Sequence, residues 1–444
     1  MKINKEKYFN KAADQSVDLE ILSTKTESFE CSFQKEQMDG FQSSNSQSLG
    51  FRLLRGNCEI TSFSENFNEK ELDKAFDLAL ENLDSFPKEY QPKLYKNDSS
   101  ANDDSNLFYK ESPKTINIDQ KIEMAKQLEK KFYEMDSNVT AVPYGGYSDY
   151  TSVVRLQNSL GTNRTSQFSG YSIGAYPLLE VENDKVMKGA GYSSLQYESL
   201  NLDQLCKSAL DQCQNALQAT QPSTGVYNLV MKNTVAQSLI GLLVGHLNGK
   251  QVKDKKSLLK DRLGELCFSK SLDLKDLPML EGASGSRAFD SEGFDSRPTD
   301  LVNAGKVSNF LSNSVIAAEL GIKNSFSAVR STKSNLSVGS SNIVMEKGDK
   351  DRTQLFNELN QGIYITEFKG LRSGYNSASG DFSVQAEGFL IENGTKKAAV
   401  KDFVVSGNII DCFKEFEASN NYHLAGGSMR VPDILIPNLS VAGK

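Results

Sequence analysis

Residues 226–249 read VYNLVMKNTVAQSLIGLLVGHLNG. The apolar run Val226–Met231 predicts a buried strand. The period then changes: Val235, Leu239, Leu242 and Leu243, widened by Val244 and Leu247, form the stripe of a helix. Asn233 and Thr234 offer its N-cap, and Asn248-Gly249 a C-cap pair. His246, one of only two histidines in the chain, falls in the last turn. A histidine there serves either as a metal ligand or as a cap or core residue. No glutamate or second histidine shares this helix, which favours the cap or core role.

The surrounding chain has 444 residues, enough for two or three domains with cores of their own. With 38% hydrophobic and 24% charged residues it has the balance of a globular protein. The net charge of −7 argues against a broad basic face for nucleic acid. No apolar run approaches a membrane span, and MKINKEKYFN is followed by no signal-peptide core. The six cysteines lack zinc-knuckle spacing, and Cys206 and Cys213 fall on one apolar helix stripe. Free thiols without a leader predict a cytoplasmic protein.

Upstream, residues 17–64 read as strands, with a turn at Arg55-Gly56-Asn57. Amphipathic helices are predicted at Glu69–Leu83, from Asn117, and at Leu202–Leu217, with a β-patterned stretch over Asn138–Tyr197 and a polar loop over 95–115. Gln221–Gly225 is the expected boundary between a domain at 1–222 and another at 223–444. Downstream, helices are expected at Asp300–Leu320 and Asn408–Ala418. Strands are expected at Gly362–Phe368, Asp381–Ile391, Thr395–Val405 and Pro432–Val441, with a hairpin turn at Asn393-Gly394. The fold class is α+β: an α/β N-terminal domain and a β-rich, curved or barrel-like C-terminal one.

Three stretches carry more than turn chemistry. They are Ser286–Gly293 (SRAFDSEG), Gly374–Ser383 (GYNSASGDFS) running on to Ile391–Gly394 (IENG), and Leu439–Lys444 (LSVAGK). Asp290 and Glu292 are paired carboxylates able to meet a cation, and Asp381 is placed to cap a turn. In this order the stretches resemble the TldD/PmbA family, also described as peptidase family U62 or modulators of DNA gyrase, and within it the PmbA/TldE branch.

That resemblance implies a zinc motif, HExxxH, on the helix first quoted. Laid onto Leu239–His246, Gly241 holds the first histidine position, Leu242 the glutamate, and His246 the second histidine. The family's C-terminal cysteine ligand has no counterpart in Asn421–Val431, although His423 is nearby. A catalytic zinc needs about three protein ligands and an open position, and the reaction needs a base. The resemblance therefore implies no catalytic or metal residues here. It implies a non-catalytic subunit paired with a TldD-like chain that holds the zinc, or a homodimer in its absence, acting on peptides or unfolded segments. Asn376, Asp381, Phe382 and Ser383 are the expected substrate contacts. Two other readings stand: an enzyme active alone through His246, His423 and a carboxylate such as Asp290 or Glu292, and a regulator acting on gyrase.

Overall fold

The structure, a computed structural model, describes residues 4–97, 108–182, 184–422 and 427–444. His423 and residues 98–107 of the expected polar loop lie outside the described residues. In the first half the elements are α1 (Lys5–Ala13), β1 (Asp18–Gln34), β2 (Gln37–Arg55), β3 (Cys58–Ser64), α2 (Glu69–Asn82), α3 (Ile118–Met135), β4 (Val139–Asn158), β5 (Asn163–Val181), β6 (Asp184–Met187), β7 (Ala190–Ser194) and α4 (Leu202–Ala216). The strands form one antiparallel, curled sheet in the order β3-β2-β1-β4-β5-β6, with β7 also on β5. Alternate residues point to opposite faces. Leu19, Ile21, Phe51 and Leu53 pack under α1 and α2, while Cys31, Tyr147 and Ile173 pack under α3 and α4. Glu20, Leu22 and Arg52, on the other face, meet the second half.

The second half comprises β8 (Gly225–Met231), α5 (Asn233–His246), α6 (Gly249–Lys253), β9 (Leu274–Asp276), β10 (Thr299–Asn303), β11 (Lys306–Val307), α7 (Ser314–Leu320), β12 (Ala328–Val329), β13 (Ser337–Val338), β14 (Ile343–Met345), α8 (Arg352–Leu359), β15 (Gln361–Lys369), β16 (Asp381–Glu392), β17 (Thr395–Asn408), α9 (Ile409–Cys412), β18 (Glu417–Tyr422), β19 (Met429–Arg430) and β20 (Pro432–Ala442). Strands β17, β16, β15, β8 and β20 pair in that order, and β20 returns to β17 through Val404–Ser406. Five strands thus close into a ring, with β8 and β15 parallel. The barrel-like expectation holds, and so does the α+β class. The smaller sheet, β11-β10-β9-β14-β19, lies beside the ring, and α5 packs in the core shared by both.

Four local expectations fail. Asn233 does not cap α5: it is the first helical residue, and its backbone N–H donates to Asp433 Oδ1 at 2.6 Å. A carboxylate from β20 thus takes the capping role. Asn248 does not end α5 but caps α6, its side chain accepting from Lys250 N–H. The helix expected at Asp300–Leu320 survives only as α7. Its first part is the β10–β11 hairpin, turned at Ala304 and Gly305 with φ of 45° and 75°. A Cβ on Gly305 would lie 2.4 Å from the Phe268 carbonyl oxygen, so the turn needs glycine. Likewise Asn408–Ala418 is helical only over Ile409–Cys412 before β18 begins.

The halves are joined by buried charge. Arg330 Nη2 lies 2.8 Å from Glu20 Oε1, Arg52 lies 3.6 Å from the same oxygen, and Arg52 Nη2 lies 3.1 Å from Glu59. None of these side chains is more than 3% exposed. Beside them Ser48 and Thr332 share a hydrogen bond of 2.7 Å, and Gly50 lets the Thr332 backbone approach. Removing one partner from a buried network strands the other charges at a cost of about 3–5 kcal/mol. Glu20→Ala is expected to lower the thermal unfolding midpoint sharply, with Glu20→Gln intermediate. Calorimetry checks this, and an unchanged midpoint for Glu20→Ala would remove the network from its joining role.

Candidate functional site

Helix α5 is apolar nearly all round. Val235, Ala236, Leu239, Ile240, Leu243 and Val244 are all buried, while Thr234, Ser238 and Gly245 stay exposed along one narrow stripe, so the helix sets a broad apolar face into the core. Its last turn delivers His246, 4% exposed, to the floor of a cleft of about 820 Å³. Gly241, Leu242 and Gly245 line the same cleft with Ser257, Leu258 and Tyr375. Room is not the obstacle at Gly241: a Cβ there would meet only the Met429 methyl group, at 3.7 Å.

Both nitrogens of His246 are occupied. Nδ1 accepts from the Leu258 backbone N–H at 3.3 Å. The ring hydrogen of the neutral imidazole therefore sits on Nε2, which donates to the Tyr375 hydroxyl at 2.5 Å. The His246 carbonyl accepts from Ser257 Oγ at 2.6 Å. Burial lowers the imidazole pKa and pushes the Tyr375 phenol up to about 12, so both stay neutral near pH 7. The sequence quoted Tyr375 within a glycine-rich run but gave no sign of its partner. That pairing joins positions far apart in the chain and exists only in the fold.

Tyr375 sits on the loop between β15 and β16, which folds back along the start of β16. Ser383 N–H donates to the Gly374 carbonyl, and Asn376 N–H donates to the Asp381 carbonyl at 2.9 Å. The expected contacts Asn376, Asp381, Phe382 and Ser383 gather with Tyr375 around a second cleft of about 680 Å³. Their side chains differ in freedom. Asn376 Oδ1 accepts from Ala378 N–H, and Asp381 Oδ1 accepts from Asn408 Nδ2 at 2.8 Å, which lowers its pKa. Ser383 Oγ meets Ser406 Oγ at 3.0 Å. The Phe382 ring is 2% exposed and belongs to the core beside Phe368.

Asp290 and Glu292 stand elsewhere, at the junction of the halves. Asp290 accepts from the backbone N–H groups of Glu292, Phe294 and Ala328, so it organises its own loop. Glu292 Oε2 accepts from the Ser314 N–H and hydroxyl. Neither lines the His246 cleft. Burial, with the Glu292 charge second, raises the Asp290 pKa to about 7.

Comparison with known proteins places these features. The PmbA/TldA metallopeptidase C-terminal domain matches residues 224–443, its central domain 111–217 and its domain 1 residues 19–83. This chain belongs to the PmbA/TldD metallopeptidase family. Metalloprotease PmbA of Escherichia coli O157:H7 is 25% identical over 346 residues, covering 77% of this chain and 73% of that one. The PmbA homologue of Haemophilus influenzae is 22% identical over 97% of this chain and 94% of its own. The crystal structure of TldE from Thermococcus kodakarensis has the same fold, with a TM-score of 0.82 at 19% identity, covering 99% of this chain and 98% of that one.

The family implies a metal, and the donors present here do not fit one. Gly241 has no side chain to offer, Leu242 has no lone pair, and the imidazole of His246 is committed at both nitrogens. Among the described residues no three His, Cys, Asp or Glu side chains converge on a point.

The pH response of the Asp290 loop is testable. Its pKa is raised on folding from 3.8 to about 7, so the folded state holds a proton that the unfolded state has released across that window. Its contribution to stability therefore falls as pH rises through the window. Asp290→Asn is expected to gain stability relative to the unaltered chain between those values. Parallel melting curves that keep a constant difference across the range would refute the shift.

Proposed function

We propose that this chain is the non-catalytic, PmbA/TldE-type subunit of a zinc metallopeptidase assembly acting on peptides or unfolded segments. The observation that carries the reading is the state of α5. The position of the base is Leu242, the first ligand position is Gly241, and the remaining histidine is tied into the fold by Leu258 and Tyr375. In the assembly the TldD-like partner supplies the zinc and base, and this chain supplies structure and part of the substrate path. A homodimer is the form expected without that partner. The setting proposed is cytoplasmic; among the described residues no helix is long and apolar enough to cross a membrane. Division into 1–222 and 223–444 is supported by the named strands, since among the described residues each sheet draws all its strands from one side, although Thr220 bridges to Val400 of β17. Direct action on nucleic acid gains no support from a net charge of −7.

Co-expression with a TldD-like chain carrying HExxxH should give a 1:1 complex, with an interface above about 2,000 Å². Metal analysis should find zinc with the partner and well under one equivalent in the isolated chain. His246→Gln should leave the zinc content of the complex unchanged. Separate elution of the two chains, or a full equivalent of zinc lost on His246→Gln, would refute the proposal.

The loop at Asn376 and Asp381 is the proposed substrate-facing element. It presents backbone and small polar groups around an open cleft, the kind of surface an extended peptide can lie against. Asn376→Ala and Asp381→Ala are expected to lower turnover of the complex severalfold while the isolated variants melt as the unaltered chain does. Unchanged turnover in both variants would return the loop to turn chemistry alone.

A further inference from the structure

A third cleft, of about 400 Å³, opens on the outer side of the ring, between β15–β17 and helix α4 of the first half. It shares no lining residue with the His246 cleft. Lys188, Lys207, Lys232, Arg352, Lys396 and Lys401 line it, against the carboxylates of Asp211, Glu367 and Glu387. A cationic cleft on a chain of net charge −7 runs against the overall balance.

The pairing within the cleft is uneven. Lys188 is neutralised by Glu367 and Glu387, at 2.5 and 2.6 Å. Arg352 pairs with Asp433, whose other oxygen caps α5. Lys232 and Lys396 have no carboxylate within ion-pair distance among the described residues. The cations are nevertheless held together. The Lys396 ammonium lies 5.0 Å from the centre of the Tyr364 ring and 4.5 Å from that of Phe389. The Arg352 guanidinium lies 5.6 Å from the same Tyr364 ring. Burial, reinforced by Arg352, holds the pKa of both lysines below the ordinary value, and Lys232 adds to the effect on Lys396. Like charges brought together, two of them without an ion-pair partner, call for a counter-ion.

We propose that this cleft binds a phosphoryl group between Lys232, Arg352 and Lys396. A phosphate dianion offers several acceptor oxygens to one guanidinium and two ammonium groups, and its charge matches the two unpaired lysines. The α4 wall of the same cleft is polar, lined by Gln204, Ser208 and Gln212. The group is carried either by a small free phosphate or by a phosphorylated segment of a protein.

Isothermal titration of the full chain at constant ionic strength tests the assignment, with inorganic phosphate and a phosphoserine peptide as probes and sodium chloride as the control. One saturable site for either probe is expected. Stronger binding of the free ion identifies a small phosphate as the natural source, and stronger binding of the peptide identifies a phosphorylated segment. The double variant Lys232→Gln, Lys396→Gln should bind at least about tenfold more weakly, a loss of about 1.4 kcal/mol. Without phosphate it should melt no lower than the unaltered chain, because it loses mutual repulsion. Lys232→Arg should retain binding, which guards against a packing defect. No saturable heat with either probe, or equal affinity in the double variant, overturns the proposal.

Discussion

The second half of the molecule depends on burying α5. A helix with so broad an apolar face must be covered on most of its circumference, leaving only the Thr234–Ser238–Gly245 stripe outside. The ring encloses it on one side and the small β9–β14 sheet on the other. This requirement explains why Gly241 and Leu242 are tolerated in the middle of the helix. Leu242 packs against the core, and Gly241 leaves open space where a larger side chain would project into the cleft. It also explains the treatment of His246. A buried imidazole needs partners at both nitrogens, and the Ser257–Leu258 turn and Tyr375 provide them.

The first half is attached by a different kind of force. Its sheet offers one face to its own helices and the other, carrying Glu20 and Arg52, to the second half. Buried ion pairs are weak sources of net stability, but they are intolerant of misplacement. Glu20 accepts a hydrogen bond from Arg330 of the second half and lies 3.6 Å from Arg52 of the first, so the orientation of the halves is set by direction and not by apolar area alone.

Much of this architecture is legible in the sequence because it is local. Asn393 and Gly394 adopt the positive φ values that a tight hairpin needs, and the strands on either side follow from alternation. The helices over Glu69–Asn82 and Ile118–Met135 are bounded by the caps their sequences offer. The substituted zinc motif is legible too, because it lies on one helix. What is hidden is tertiary. Asp433 replaces a local cap for α5, and Tyr375 finds His246 across the core. The β10–β11 hairpin is hidden for another reason: its Asn303–Lys306 turn interrupts an apolar pattern that also fits a helix. Asp290 and Glu292 look like a cation site in sequence, yet backbone N–H groups hold both oxygens of Asp290 and Ser314 holds Oε2 of Glu292.

The closed ring carries a consequence for how the chain reaches this state. Strand β8 is the first of the ring in chain order and β20 the last, yet the two are neighbours, with Met231 opposite Ile434. β20 also supplies Asp433 to α5 and the seam to β17. During synthesis β8 and α5 emerge long before their partner exists. Such distant pairing delays closure, because the entropy of a long loop is lost before any contact rewards it. For that interval the most apolar helix of the molecule has no finished enclosure, so the nascent chain is most prone to stray association just before its last strand arrives.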